Sequence, residues 1–239
     1  MCWSPSVTAA MVGAGAVATG ISLAKRQPAA ISATLGYFTL MEGLQVVGYA
    51  VIDQCGQPVN QLVTLLSFLH ITFQPFFINA FAMELVARPV PPRLRWAAFT
   101  ACGVSATVML AQLYPFEWAG LCRPGSILCG KVLCTVTGDW HQAWDIPFNG
   151  MLNAFDMAMQ QMIGLSRSFP TYLVAAFIVP LFYGAWRFVI FHALVGPLLA
   201  GTLTSNPNEI PAIWCLLSIG LSVIALTPPI RRRFSTAPA

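Results

Sequence analysis

Charge is what this sequence has least of. Only 8% of its 239 residues are Asp, Glu, Lys or Arg, and it has three histidines. Soluble domains carry about a quarter charged residues. A soluble fold made from a chain that is 57% hydrophobic would expose apolar surface over most of its area and aggregate. The scarcity of charge therefore excludes a soluble domain, and a mean hydropathy of +0.71 names lipid as the solvent. Other absences narrow the function. There is no glycine-rich nucleotide-binding loop, no Lys in the last apolar stretch to hold a retinal-type chromophore, and no His-x-x-x-His or His-x-x-Glu-His spacing. The net charge of +4 is not gathered into one patch, which argues against a nucleic-acid partner. No basic residue precedes the first apolar stretch, Val7 to Leu23, so it reads as a retained span and not a cleaved signal.

What is present is a series of apolar stretches. A helix needs about 20 apolar residues to cross the hydrocarbon core. The expected fold is all-α, a polytopic transmembrane helical bundle forming a single domain over 1–239. Its seven spans are expected at about 5–24, 29–52, 61–86, 96–116, 147–165, 170–200 and 211–229. Polar, proline-containing breaks such as Lys25-Arg26-Gln27-Pro28 and Arg88-Pro89-Val90-Pro91-Pro92-Arg93 separate them. The run from Phe169 to Leu203 is read as one long helix, bent near Pro180 and broken near Pro197, with 147–165 as the fifth span. The alternative splits that run near Trp186-Arg187 and leaves 147–165 at the interface.

Basic residues set the orientation. Lys25, Arg26, Arg88, Arg93, Arg95, Arg167 and Arg231 to Arg233, nine in all, fall on one side, against Arg123 and Lys131 on the other. The nine mark the cytoplasm, so the N-terminus is expected outside and the C-terminus inside, in a plasma (inner) membrane. Trp3, Trp118, Trp140, Trp144 and Trp214 then lie near the outer boundary, where indoles prefer to sit.

An outer loop at about 117–146 carries Cys122, Cys129 and Cys134, and Cys55 and Cys2 face the same compartment. Thiols in an oxidising space pair, so one or two disulfides are expected, with Cys102 and Cys215 as packing residues inside spans. Cys2 has a second reading: with Met1 removed, its amine and thiol would form a chelating or nucleophilic pair. The loop ends in Asp139-Trp140-His141-Gln142-Ala143-Trp144-Asp145, which as a helical turn would put His141 and Asp145 on one face.

Ionisable residues at bilayer depth default to a functional-site hypothesis. Glu42, His70, Asp156, Arg187 and His192 are all placed by residue counting between the mid-plane and the outer surface, on four helices that could converge. Ser67 and Gln74 share the His70 face. One reading is a divalent metal (zinc, iron or manganese) held by His70, His192, Glu42 and Asp156 with an open position. A second pairs Arg187 with Asp156 or Glu42 and makes the histidines struts between helices. A third is a proton or ion path, and a fourth a haem or pigment on an intramembrane His. Met151, Met157, Met159 and Met162 add a weaker copper possibility.

Met1-Cys2-Trp3-Ser4-Pro5 and Glu209-Ile210-Pro211-Ala212-Ile213-Trp214-Cys215-Leu216 resemble an uncharacterised family of multi-pass membrane proteins that begin with this pentapeptide. The resemblance runs the length of the chain and implies no residue roles. At fold level, seven spans with intramembrane His and carboxylate are similar to the ceramidase-like and adiponectin-receptor-like membrane hydrolases, whose paired His-x-x-x-His on the last span is missing here. The leading expectation is an outward-facing polar pocket that binds a metal and acts on a lipid or small amphiphile through metal-bound water. In it, His70 and His192 are ligands, Glu42 or Asp156 a ligand or general base, and Arg187 steadies an anionic group. The alternative is a non-catalytic transporter, receptor or accessory subunit.

Overall fold

The structure, a computed structural model, describes residues 4–163, 169–215 and 217–234. Proline opens many of its helices, as its fixed φ and missing N–H allow in a first turn. Helix α1 (Pro5–Ala24) starts this way and is capped by Ser4, whose Oγ accepts from the Val7 amide at 3.3 Å. Helix α2 (Ala29–Ala50) follows Pro28, and α3 (Pro58–Met83) and α4 (Pro92–Ala111) again begin on proline. A two-stranded antiparallel hairpin comes next, β1 (Cys134–Thr137) and β2 (Gln142–Asp145), with Thr135 opposite Trp144. The chain continues through α5 (Asn153–Ile163), α6 (Pro170–Phe182), α7 (Trp186–Leu203), α8 (Ile210–Trp214), α9 (Leu217–Leu226) and α10 (Pro228–Phe234).

Two stretches differ from the sequence expectation. The 147–165 segment yields only α5, whose 11 residues would reach about 16 Å, roughly half the hydrocarbon thickness. The 170–200 run is not one bent helix. It reverses at Tyr183-Gly184-Ala185, where Gly184 has φ of 88°, a left-handed value that glycine adopts without a Cβ clash. Phe177 consequently stacks on His192 at 4.4 Å, so α6 and α7 form an antiparallel hairpin. A wide π turn at 174–178 precedes Pro180 and another, at 194–198, contains Pro197, and each absorbs the missing amide. Gly196 beside Pro197 leaves helical geometry (φ −91°, ψ −105°) and lies against the Trp214 indole, where a side chain would collide.

The bundle has two chemically distinct ends. At one, the hairpin is bound to the tops of α2 and α3. Asn60 donates to the Val51 and Thr135 carbonyls and accepts from the Thr135 amide, and Asp53 accepts from the amide and hydroxyl of Thr137. The disulfides Cys55–Cys134 and Cys122–Cys129 lie here, while Cys102 and Cys215 are buried thiols, as expected. At the other end, Gln27 in the α1–α2 turn donates to the Ala225 carbonyl, and Glu84 and Leu85 approach Arg231 and Arg232.

Beside its apolar core the interior carries many polar side chains, and large apolar ones cover the outside. The interior holds Thr34, Glu42, Gln45, Asn60, Thr64, Ser67, His70, Thr72, Gln74, Asn79 and Ser105, while Leu23, Leu40, Leu62, Val104, Leu194 and Leu198 face outward. Small residues bring helices close: Gly15 lies against Thr39, and Ser22 bonds Ser32 at 2.8 Å. Four helices, α1, α3, α4 and α7, are long and apolar enough to cross a membrane. Helix α2 is as long, with 22 residues, but its apolar character is diluted by the polar side chains it turns inward.

Candidate functional site

The five ionisable residues do not share a pocket. Glu42 on α2 accepts from the Ser218 hydroxyl at 3.1 Å through Oε1, and its buried Oε2 has no partner among the described residues. His70 is closed into a reciprocal exchange with Tyr37. The rings stack at 3.8 Å, His70 Nε2 donates to the Tyr37 carbonyl at 2.7 Å, and the Tyr37 hydroxyl donates to the His70 carbonyl at 2.6 Å. His192 is used differently: its Nε2 accepts the Trp214 indole N–H at 3.2 Å, and its ring stacks on Phe177. Asp156 rides on α5 at the hairpin end, where Ser126 donates to it at 2.8 Å. Arg187 sits at the opposite end, beside the α6–α7 turn, donating to the Arg233 carbonyl at 2.9 Å with its guanidinium over Trp186.

The expected zinc, iron or manganese set of His70, His192, Glu42 and Asp156 is therefore not assembled, and among the described residues no three His, Cys, Asp or Glu side chains are grouped to hold an ion. The physical reason is that each imidazole is committed to a different helix pair, and the chain reversal at Gly184 takes Arg187 away from the outer half. Met157 and Met162 are exposed on α5. Cys2 lies outside the described residues.

The 139–145 segment, expected as a helical turn, is instead the tip and second strand of the hairpin. His141 and Asp145 accordingly part company. Asp145 accepts from Asn208 at 2.7 Å, whereas His141 plunges into the bundle and is fully buried. Its hydrogen-bond directions are determined. Gln45 gives its Nε2–H to the Ala212 carbonyl at 3.2 Å, so its Oε1 must accept from His141 Nε2 at 2.9 Å. His141 Nδ1 is then an acceptor and takes the Tyr49 hydroxyl proton at 2.5 Å. Burial holds the imidazole neutral, its pKa pushed down to about 3.

Glu209, which sequence reasoning passed over as a loop residue, closes the same assembly from above. Its carboxylate accepts from the backbone amides of Asp139 (3.2 Å), Trp140 (2.7 Å) and His141, and from the Thr204 hydroxyl at 2.6 Å. A carboxylate with no cation in that set is here satisfied by peptide dipoles. Below it, Gln142 is fully buried against Gly48, and neither of its amide atoms has a partner among the described residues. The signal that could have exposed this cluster was the Glu42, Gln45, Tyr49 spacing, which puts three polar side chains on one face of an apolar helix.

A cavity of about 580 Å³ lies between α3, the α6–α7 hairpin and α8. Phe169, Tyr172, Phe177, Pro197 and Trp214 make much of its wall, Gln74 supplies a polar point, and among the described residues no charged one lines it. Gln74 does not serve His70, as its face had suggested. Its Oε1 accepts from the Tyr172 hydroxyl at 2.8 Å. A second void of about 600 Å³, around Tyr37 and His70, is an open apolar groove on the outside of α2 and α3.

Among the comparisons with known proteins, no curated protein and no solved structure matches the chain. The model of the family of unknown function DUF5765 matches residues 6–235, nearly the whole sequence and every helix described above apart from the first residue of α1. The chain belongs to that family.

Proposed function

We propose that the chain is a seven-crossing protein of the plasma (inner) membrane that binds a lipid or small amphiphile within the bilayer, as a non-catalytic receptor, transporter or accessory subunit. The crossings are α1, α2, α3, α4, α6, α7 and the α8–α9 segment, with α5 lying at the outer interface. The N-terminus is outside. This orientation is supported by the disulfides at the hairpin end, which suit an oxidising compartment. It is supported equally by Lys25, Arg26, Arg88, Arg93, Arg95, Arg187 and Arg231 to Arg233, which suit the cytoplasmic side.

The observation that carries the ligand reading is the cavity between α3, α6, α7 and α8. Its volume of about 580 Å³ falls within the roughly 300–1,000 Å³ typical of small-molecule sites, and its wall is mostly aromatic and aliphatic with a few polar groups, Gln74 among them. A hydrolase reading draws no such support, because the side chains that would make its centre lie on separate helix pairs.

The test is lipid analysis of detergent-purified protein, comparing wild type with Gly201→Phe. Gly201 borders the cavity, and a Cβ added there meets nothing within 4 Å, so an aromatic ring can fill the space without moving backbone. Wild type is expected to retain a lipid in stoichiometric amount, and the variant to lose it at an unchanged melting temperature. Equal retention by the two, or none by wild type, would remove the ligand reading.

A further inference from the structure

We infer that the ligand of this cavity is an uncharged lipid whose polar group is a hydrogen-bond acceptor, a carbonyl or ester oxygen held by the side-chain amide of Gln74. The inference rests on the reading of the cavity as a binding site, and it names the class of molecule.

The Tyr172 ring lines the cavity and is 4% exposed, so its hydroxyl proton must be given to a protein acceptor. The acceptor is Gln74 Oε1, at 2.8 Å. That bond fixes the amide, because a tyrosine hydroxyl cannot give its proton to an NH2 group. Gln74 Nε2 is left with two N–H donors and no acceptor among the described residues. Gln74 is 3% exposed overall, yet its amide nitrogen is not one of the fully enclosed unpartnered atoms, so it opens onto the cavity that its side chain lines. A donor opening onto an apolar void calls for an acceptor there.

The other polar groups around the cavity are already used. The Trp214 indole N–H is given to His192 at 3.2 Å, and the Thr202 hydroxyl to the Leu199 carbonyl at 2.7 Å. Among the described residues no Lys, Arg or His lines the wall, so a carboxylate or phosphate would enter without a counter-charge from them and lose its hydration. A plain hydrocarbon would fill the space but leave the Gln74 donors unmet. A neutral carbonyl satisfies both conditions, with its chain against Phe169, Phe177 and Trp214.

Three probes of similar chain length separate the classes: methyl oleate, oleate, and the corresponding alkene with no oxygen. Their equilibrium binding to the detergent-purified full chain is measured for wild type, Gly201→Phe, and the double variant Gln74→Leu/Tyr172→Phe. The double variant removes both partners of the hydrogen bond, so no polar group is stranded and folding is retained; Tyr172→Phe alone serves as the control that keeps the amide. Methyl oleate is expected to bind at least about tenfold more tightly than oleate, and to lose about tenfold in the double variant while the alkene is unaffected. Gly201→Phe should block every probe. If oleate binds as tightly as the ester, or the double variant binds the ester like wild type, while Gly201→Phe still blocks binding, the site stands and the assigned class falls. If no probe binds, or Gly201→Phe changes nothing, the site itself falls and the inference with it.

Discussion

His141 gives its Nε2 proton to Oε1 of Gln45, 2.9 Å away, and that bond ties the tip of the β-hairpin to the inward face of α2. The rest of the chain of bonds follows from it. Tyr49 donates into the imidazole, the imidazole into Gln45, and Gln45 into the Ala212 carbonyl, so all three dipoles run the same way. Aligned hydrogen bonds in a low-dielectric interior polarise and strengthen one another.

Substituting Gln45→Leu strands the His141 Nε2–H in the interior. The expected loss of stability is about 1–3 kcal/mol, seen as a lowered melting temperature in detergent. Tyr49→Phe should cost less, since it removes a donor and leaves an acceptor lone pair. In a double-mutant cycle the two effects should be non-additive, because both act through one imidazole. Unchanged melting of Gln45→Leu would show that the bond does not hold the hairpin.

The same histidine sets a pH dependence. Its pKa is lowered from 6.5 to about 3 in the folded protein, so between those values the unfolded chain binds a proton that the folded chain does not. Stability from this group is complete above pH 6.5 and is lost as pH falls toward 3, with a slope approaching about 1.4 kcal/mol per pH unit. Melting temperatures measured from about pH 7.5 down to about pH 4.5 should fall for wild type and fall less steeply for His141→Gln. Parallel profiles would contradict the assignment.

Glu209→Gln is expected to loosen the hairpin tip, because the new NH2 group faces backbone amides that need an acceptor. The loss should be about 2 kcal/mol or more. Hydrogen exchange of the Asp139, Trp140 and His141 amides reads it locally, and should accelerate in the variant. If exchange is unaltered, the carboxylate is not what protects those amides.

The helical hairpin makes a topological prediction. With a membrane-impermeant maleimide on intact cells, Gly120→Cys and Lys131→Cys should label, whereas Arg93→Cys and Arg187→Cys should label only after permeabilisation. Labelling of Arg187→Cys from outside would contradict the reversal at Gly184 and restore a single long helix over 170–200.

Much of the frame was legible in the sequence because it rests on composition and on proline. Low charge demands lipid, prolines at Pro5, Pro58, Pro92 and Pro170 start helices, and thiols at Cys55, Cys122, Cys129 and Cys134 pair where it is oxidising. Facing was not legible. In an apolar span, lipid-facing and core-facing residues are both hydrophobic, so periodicity does not tell where His70 or His192 points. The turn at Tyr183-Gly184-Ala185 was legible only as the alternative split near Trp186-Arg187, since it contains no charge or proline and lies within an apolar run. Arg187 was the clue, because a basic residue so close to the mid-point of that run fits a cytoplasmic turn better than hydrocarbon. In the outer loop, Trp140 and Trp144 mimic helical spacing, while Thr135-Val136-Thr137 and Gly138-Asp139 carried the strand and turn signals.

The inward placement of polar side chains has a consequence for how far the fold needs lipid. Asn60, Asn79, His70, His141 and Glu209 find partners on neighbouring helices and loops, and none of those bonds is made to the surroundings. Leu23, Leu62, Val104 and Leu194, by contrast, serve as an oily coat. Recoating those outward positions with Glu, Lys and Gln should therefore give a version of this bundle that stands in water, its internal wiring untouched.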